Sequence, residues 1–261
     1  MKLSGVSLLI AAACLACSGC ARPSRTALEV APDVSQRRAR FVTRPLSAEV
    51  RHLTDSDRQA LRHLVAAAEE MDEIFWRQAW ARNPEFTPKV AALTGPNAEA
   101  AKDYYRIMYG RWDRIDELEP FLGTQEHPPG AGFYPQDLSV EEFEDWLEAH
   151  PEDVEAFKSL HTVIRRDGEG LVAVPYSEAY REQLEEAAAE LRAAAEMTEN
   201  ETLKRFLSLR ADAFLSDDYF ASDMAWMDLD SPIEIVIGPY ETYEDRLFGY
   251  KAVFEAFVCV A

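Results

Sequence analysis

The chain has 261 residues, enough for one large domain or two small ones, and its 48% hydrophobic content fits a folded protein. A formal charge of −20 argues against nucleic acid as a partner, because phosphate binding needs clustered Lys and Arg. The short run Arg37-Arg38-Ala39-Arg40 lies in a polar N-terminal segment, and the acidic surplus reads as solvated faces of Glu-rich helices, or else as attraction for a cationic ligand such as a peptide amino terminus.

Residues 1–19 read as a lipoprotein signal peptide. Lys2 gives a positive start, and Val6 to Ala16 is an apolar core too short to span a bilayer comfortably. Small residues before a cysteine mark the processing site, so Cys20, after Ser18-Gly19, is the expected lipidation site, with Cys17 as the second choice. Ala21, not Asp, follows it, which leans towards the outer membrane or periplasmic face of a bacterial envelope. Cys14, Cys17 and Cys20 also spell C-x-x-C-x-x-C, an iron–sulfur spacing, but they sit in a removable leader without a fourth thiolate. After processing only Cys20 and Cys259 remain, so no disulfide is expected, and Cys259 reads as a small buried hydrophobe.

Residues 20–50, rich in Pro, Ser and Arg, read as a flexible tether. Thr54 to Asp57 supply N-cap candidates. Leu61, Leu64, Val65, Ala68, Met71, Ile74 and Phe75 then recur at helical spacing, predicting a helix to about Trp80 that ends before Pro84. His52 and His63, roughly 16 Å apart on one helix, are too distant to share a metal and read as surface histidines. Asn97 to Met108 predicts a second helix. Arg111, Asp113, Arg114 and Asp116 read as an ion-pair lattice under a turn, and Pro128 to Pro135 is a loop.

Ser139 with Glu142 forms a capping box for a short helix, and Pro151 starts another turn. Thr162–Arg166 and Leu171–Tyr176 predict a hairpin. Ser177 to about Phe214 predicts two helices broken near Thr198–Asn200, followed by a helix edge or loop over Asp217–Trp226. Ile233–Ile237 and Ala256–Val260 predict strands, with a turn at Gly238-Pro239 between them. The expected fold class is α+β, mostly α: a helical lobe with a small antiparallel β-unit towards the C-terminus, part of a β-barrel and incomplete.

The chain has no H-E-x-x-H, G-x-S-x-G or P-loop motif. Its five histidines, at 52, 63, 127, 150 and 161, lack ligand spacing. Asp217, Asp218, Asp228 and Asp230 lack the pattern of a calcium loop and read as solvated charge. The sharp candidates are Glu241 and Tyr243, alternate residues after a strand. A carboxylate beside a phenol can hold an ammonium by charge-assisted hydrogen bonds, and next to an open strand edge the pair could grip the amino end of a peptide laid in as an added strand. A purely structural turn is the other reading of the same spacing.

Glu241-Thr242-Tyr243, Phe248-Gly249 and Phe254-Glu255-Ala256-Phe257-Val258 resemble a block of the dipeptidyl peptidase III family that runs E-[ST]-Y-x-D-x-F-G-x-x-x-x-F-E-[GA]-F-V. Arg106–Gly123 and Gly130–Phe143 resemble that family's bacterial branch, so the likeness extends over most of residues 51–261. One extra residue separates Asp245 from Phe248, and Tyr250-Lys251 follows the glycine, unlike the eukaryotic pattern. The resemblance implies a zinc exopeptidase releasing N-terminal dipeptides from a peptide substrate, with a helical zinc lobe and a second lobe holding a small β-barrel. It implies that the residues matching Glu241 and Tyr243 bind the substrate's amino end. The family's zinc motifs, H-E-x-x-G-H and E-E-x-x-A/S-E, lie beyond the matched block and are not in this sequence. The expectation is the peptide-binding portion of such an enzyme, without catalytic or metal residues of its own. A non-catalytic periplasmic peptide-binding lipoprotein and a truncated, non-functional fragment are the alternatives.

Overall fold

The computed structural model describes residues 28–260. The expected signal peptide, residues 1–19, and Cys20 lie outside them. The architecture is α+β and mostly α. Its long helices are α2 (Asp55–Ala79), α8 (Arg181–Met197) and α9 (Glu201–Ser216), and its sheets are three separate two-stranded antiparallel ribbons, none closed into a barrel among the described residues.

Helix α2 is the spine shared by two hydrophobic cores. Leu64, Ala67, Met71 and Ile74 recur every three or four residues and face the larger core, against α8 and the C-terminal ribbon. Trp76 and Trp80, at its other end, belong to the smaller core with α3 (Asn83–Ala91) and α4 (Ala98–Ile107). Thr54 caps α2, its hydroxyl accepting from Asp57 N at 3.0 Å. At the C-terminal end Asn83 Nδ2 donates to Trp76 O at 2.8 Å and to Tyr109 O at 3.0 Å, satisfying carbonyls the helix leaves open. Thr198, at the break between α8 and α9, donates to Asp57 Oδ1 at 3.0 Å, and Asn200 caps α9 by accepting from Leu203 N at 2.9 Å.

Several elements differ from the sequence reading. Helix α2 ends at Ala79, before Pro84 as expected, but a further helix not expected from the sequence follows: Pro84 opens α3 at a first-turn position, where its missing N–H costs nothing. Within the segment expected to be a tether, Leu28–Phe41 is instead packed. Val30 bridges Leu122, α1 (Val34–Ala39) lies beside α4, and Val34 is fully buried. The basic run holds it there: Arg37 and Arg40 both reach the buried Asp113, at 3.2 and 3.0 Å, and Tyr104 donates to the same oxygen at 2.8 Å. The lattice expected within Arg111–Asp116 is therefore built with distant residues. Asp113 pairs with α1 and Arg114 with Glu244, whereas Arg111 lies among Trp80, Phe86 and Trp112 and donates to Leu122 O. His63 pairs with Glu190 of α8 at 2.6 Å, so it joins two helices.

In chain order there follow a short ribbon, β1 (Trp112–Asp113) with β2 (Glu119–Pro120), then α5 (Val140–Ala149), α6 (Val154–Lys158) and the expected hairpin, β3 (Thr162–Asp167) with β4 (Gly170–Pro175). Ser139 caps α5 as expected, but Glu142 turns away from the cap to Arg166. After α7 (Tyr176–Ala179), α8 and α9, Phe220–Met227 forms a helix, α10, where a helix edge or loop was expected.

The last ribbon pairs β5 (Ile233–Glu241) with β6 (Val253–Val260). Ile233, Ile235 and Ile237 alternate onto the core, and β6 lies along α2. Gly238-Pro239 is not a turn. Both stay in β5, opposite Glu255 and Phe254, because a bulge at Tyr240 takes up one extra residue before Glu241 pairs with Val253. Cys259 is exposed rather than buried, since it alternates with the inward Val258 and Val260. Among the described residues the other edge of β6 has no paired strand.

Candidate functional site

Residues 242–252, which join β5 to β6, wrap around one buried carboxylate. Asp245 accepts five hydrogen bonds: from Leu247 N at 3.1 Å, Phe248 N at 3.0 Å, Tyr250 N at 2.8 Å, Lys251 N at 3.1 Å and Tyr134 Oη at 2.8 Å. Burial, reinforced by this carboxylate, pushes the Tyr134 phenol well above its ordinary range. Gly249 turns the loop at φ +72°, a conformation that favours glycine. Lys251 is fully buried and donates to Phe157 O at 2.6 Å, Ser159 O at 2.9 Å and Thr162 Oγ1 at 2.8 Å, tying the loop to α6 and β3. Glu244, also buried, receives both outer nitrogens of Arg114, whose guanidinium lies 5.3 Å from the Phe75 ring centre.

This loop forms one wall of an open groove of about 250 Å³ between α2 and β6, lined by Met71, Asp72 and Phe75 from α2, Tyr109, Tyr243 and residues 254–257. Two phenol–carboxylate pairs face it. Tyr243 donates to Glu255 Oε1 at 2.7 Å, and Tyr109 donates to Asp72 Oδ1 at 2.8 Å. The Phe75 ring lies between the two phenols, 4.9 Å from Tyr109 and 6.4 Å from Tyr243 by ring centres. Burial, and then the partner carboxylate, raises both phenols, Tyr109 to about 12. Both therefore stay protonated at neutral pH and donate to their carboxylates.

Tyr243 is 49% exposed and faces the groove. Glu241 is exposed at the end of β5, and its carboxylate has no hydrogen-bond partner among the described residues. It pairs with Val253, and strand alternation puts Val253 on the same ribbon face as Glu255. Glu241 therefore shares a face with Tyr243's partner, although it does not line the groove itself. Asp72, Tyr109 and Glu255 are missing from the sequence reading of the site. Glu255 carried a signal, the alternation Phe254-Glu255-Ala256-Phe257; Asp72 and Tyr109 meet only through the crossing of α2 and the chain after α4.

Chemically the groove offers hydrogen-bond acceptors of negative charge, aromatic surface and, beyond Phe254, whose N–H is taken by Gln78 Oε1 at 2.8 Å, an unpaired strand edge. That set suits a cationic group and an extended backbone. His161, expected to be structural, packs 4.6 Å from Tyr219 by ring centres, and burial lowers its pKa. Among the described residues no group of three or more His, Cys, Asp or Glu is placed to hold a metal ion, and the sequence contains no H-E-x-x-H, so the described residues do not fit zinc.

The profile of peptidase family M49 matches residues 152–261. The fold is similar to dipeptidyl peptidase III from Caldithrix abyssi, with a TM-score of 0.83 and 48% identity, covering 85% of this chain and 43% of that one. It is similar also to dipeptidyl-peptidase III from Corallococcus sp. strain EGB, with a TM-score of 0.84 and 41% identity, covering 89% of this chain and 44% of that one. Nudix hydrolase 3 of Arabidopsis thaliana is 35% identical over 269 residues, 82% of this chain and 34% of the plant protein. The chain thus spans less than half the length of each of these relatives.

Proposed function

Starting from a chain that is dipeptidyl peptidase III-like and resembles the amino-terminal part of that fold, we propose that it is the peptide-binding portion of a zinc-dependent dipeptidyl peptidase, in which Glu241 and Tyr243 hold the substrate's amino end. The observation that carries this reading is the groove beside the unpaired edge of β6, where Tyr243 and Glu255 meet on the face that Glu241 shares. A peptide entering as an added strand would hydrogen-bond to β6 through its main chain and present its ammonium to these acceptors. Zinc belongs, on this reading, to the full-length enzyme, and no step through it is derived from the residues present.

Two outcomes test the proposal. Glu241→Gln keeps shape and removes charge, so it is expected to weaken a free-amino peptide by roughly tenfold, a loss of about 1.4 kcal/mol. An N-acetylated peptide should be little affected. Calorimetric titration of both peptides reads the difference, and equal losses for the two would contradict the assignment. The purified 261-residue chain is expected to release no dipeptide from a chromogenic substrate, with or without added zinc. Zinc-dependent turnover by this polypeptide alone would overturn that expectation.

The proposal extends to location. The Cys17-Ser18-Gly19-Cys20 sequence supports a lipid-anchored protein of the bacterial envelope, modified at Cys20. Labelled palmitate should enter the wild-type chain in a bacterial host and not a Cys20→Ser variant; equal labelling would remove the anchor from the reading.

A further inference from the structure

Beneath β5 lies a polar group that the groove does not use. Arg210 of α9 is fully buried, with Nη2 donating to Asp223 Oδ1 at 2.5 Å. Its Nε and Nη1 have no hydrogen-bond partner among the described residues. The guanidinium is flanked by three rings, Tyr219 at 5.2 Å, Phe206 at 5.4 Å and Tyr240 at 5.6 Å from its central carbon. Strand β5 crosses directly above it. A Cβ on Gly238 would stand 2.6 Å from Arg210 Nη1, and Gly238 has φ +144°, so only glycine lets the strand pass here. Tyr240 folds back over that glycine: its hydroxyl donates to Ile237 O at 3.1 Å, and its ring rests on Arg210.

Tyr240 is also the residue that breaks the strand's period. Pro239 pairs with Phe254 and Glu241 with Val253, so two steps along β5 match one step along β6. Ile233, Ile235, Ile237 and Pro239 all point inward. Without the extra residue, Glu241 would continue that inward series. A shift of one residue exchanges the two faces of a strand. The bulge therefore sets Glu241 opposite Val253, on the ribbon face that Glu255 shares.

We propose that Arg210 and Tyr240 are positioning residues for Glu241. The buried guanidinium seats the Tyr240 ring, the seated ring fixes the bulge, and the bulge presents the Glu241 carboxylate beside the Tyr243–Glu255 pair. This rests on the reading of Glu241 as an amino-end ligand. It adds that the ligand's direction is set from α9, through a residue that never touches the peptide.

The test uses the 261-residue chain and a tetrapeptide with a free or acetylated amino end, titrated by calorimetry. Amide exchange over Ile237–Thr242 and the thermal midpoint are measured alongside. Wild type is expected to prefer the free amine by roughly tenfold or more. Tyr240→Leu, at a partly exposed position, should bring that preference close to onefold and speed exchange at 240–242 with little change in midpoint. Tyr240→Phe keeps the ring on Arg210 and should retain the preference. Gly238→Ala, which drives a Cβ into Nη1, should behave like Tyr240→Leu. If Tyr240→Leu and Gly238→Ala keep both the wild-type preference and the wild-type exchange, the positioning role is wrong while the amino-end site stands. A wild type that does not distinguish the two peptides overturns the amino-end reading and this inference with it.

Discussion

Replacing Asp245 with Ala is expected to destabilise the protein by about 3–5 kcal/mol, the largest effect of any single change in the region between β5 and β6. The carboxylate accepts four main-chain N–H groups and the Tyr134 hydroxyl, and it is 4% exposed. Truncation leaves those donors facing a cavity too apolar to solvate them, and each buried donor left unmade costs on the order of 1–3 kcal/mol. The donors are not independent, because the loop can open and let some reach water, which keeps the total below their sum. Asp245→Asn separates charge from shape. The amide keeps one acceptor but turns N–H groups towards N–H groups, so its cost should lie near 2–3 kcal/mol. Tyr134→Phe removes one bond and should cost about 1 kcal/mol. Urea unfolding midpoints for the three variants give the order directly. An Asp245→Ala cost below about 1 kcal/mol would mean that the loop is not organised around this carboxylate.

Lys251→Met is expected to cost about 2–4 kcal/mol near pH 9 and visibly less near pH 6. Two opposing effects fix that pH dependence. Burial disfavours the ammonium and pulls its pKa down to about 7 from an ordinary 10.5. The three oxygens that accept its N–H groups, with Asp245 nearby, return part of that cost without reversing the direction. Between pH 7 and 10 the unfolded chain thus binds more protons at this site than the folded chain, so the folded state gains stability as pH rises. Below pH 7 both states carry the charge, and the folded state bears the whole desolvation cost. Methionine has no such dependence, so the gap between wild type and variant should widen by up to about 1.4 kcal/mol per pH unit between pH 7 and 9. Unfolding at pH 6, 7, 8 and 9 measures it. A gap that narrows with rising pH would show that the ammonium is favoured in the folded state.

Both residues lie in the stretch whose sequence resembles the dipeptidyl peptidase III block, and both bear on what that stretch does. Asp245 and Lys251 do not face the groove. They fix the loop that carries Tyr243 and Glu244, so part of the motif is a folding instruction and part a binding surface. Spacing alone could not divide the two, because a carboxylate that gathers backbone N–H groups and a carboxylate that waits for a ligand look the same in one dimension.

The long helices were legible because their information is local. The apolar repeat from Leu61 to Phe75, the caps at Thr54 and Ser139, and the break at Thr198–Asn200 each act within a few residues, and each is where the sequence puts it. The hairpin and the two final strands follow from period-two alternation in the same way. Tertiary structure decided the rest. Only packing against α4 and Asp113 turns Leu28–Phe41 from an expected tether into a docked segment, because its stabilising partners lie more than sixty residues away. Gly238-Pro239 reads as a turn until the neighbouring strand and the buried Arg210 make it a bulged crossing. Glu241 and Tyr243 could be named from their types and spacing, but which face Glu241 occupies depends on one extra residue in a register that exists only once β6 has paired. Asp72, Tyr109 and Glu255 come from three separate segments, and nothing in their local sequence says that they meet. Local hydrogen bonding and periodicity are written along the chain; the convergence of charged and aromatic groups on one groove is a property of how the elements cross.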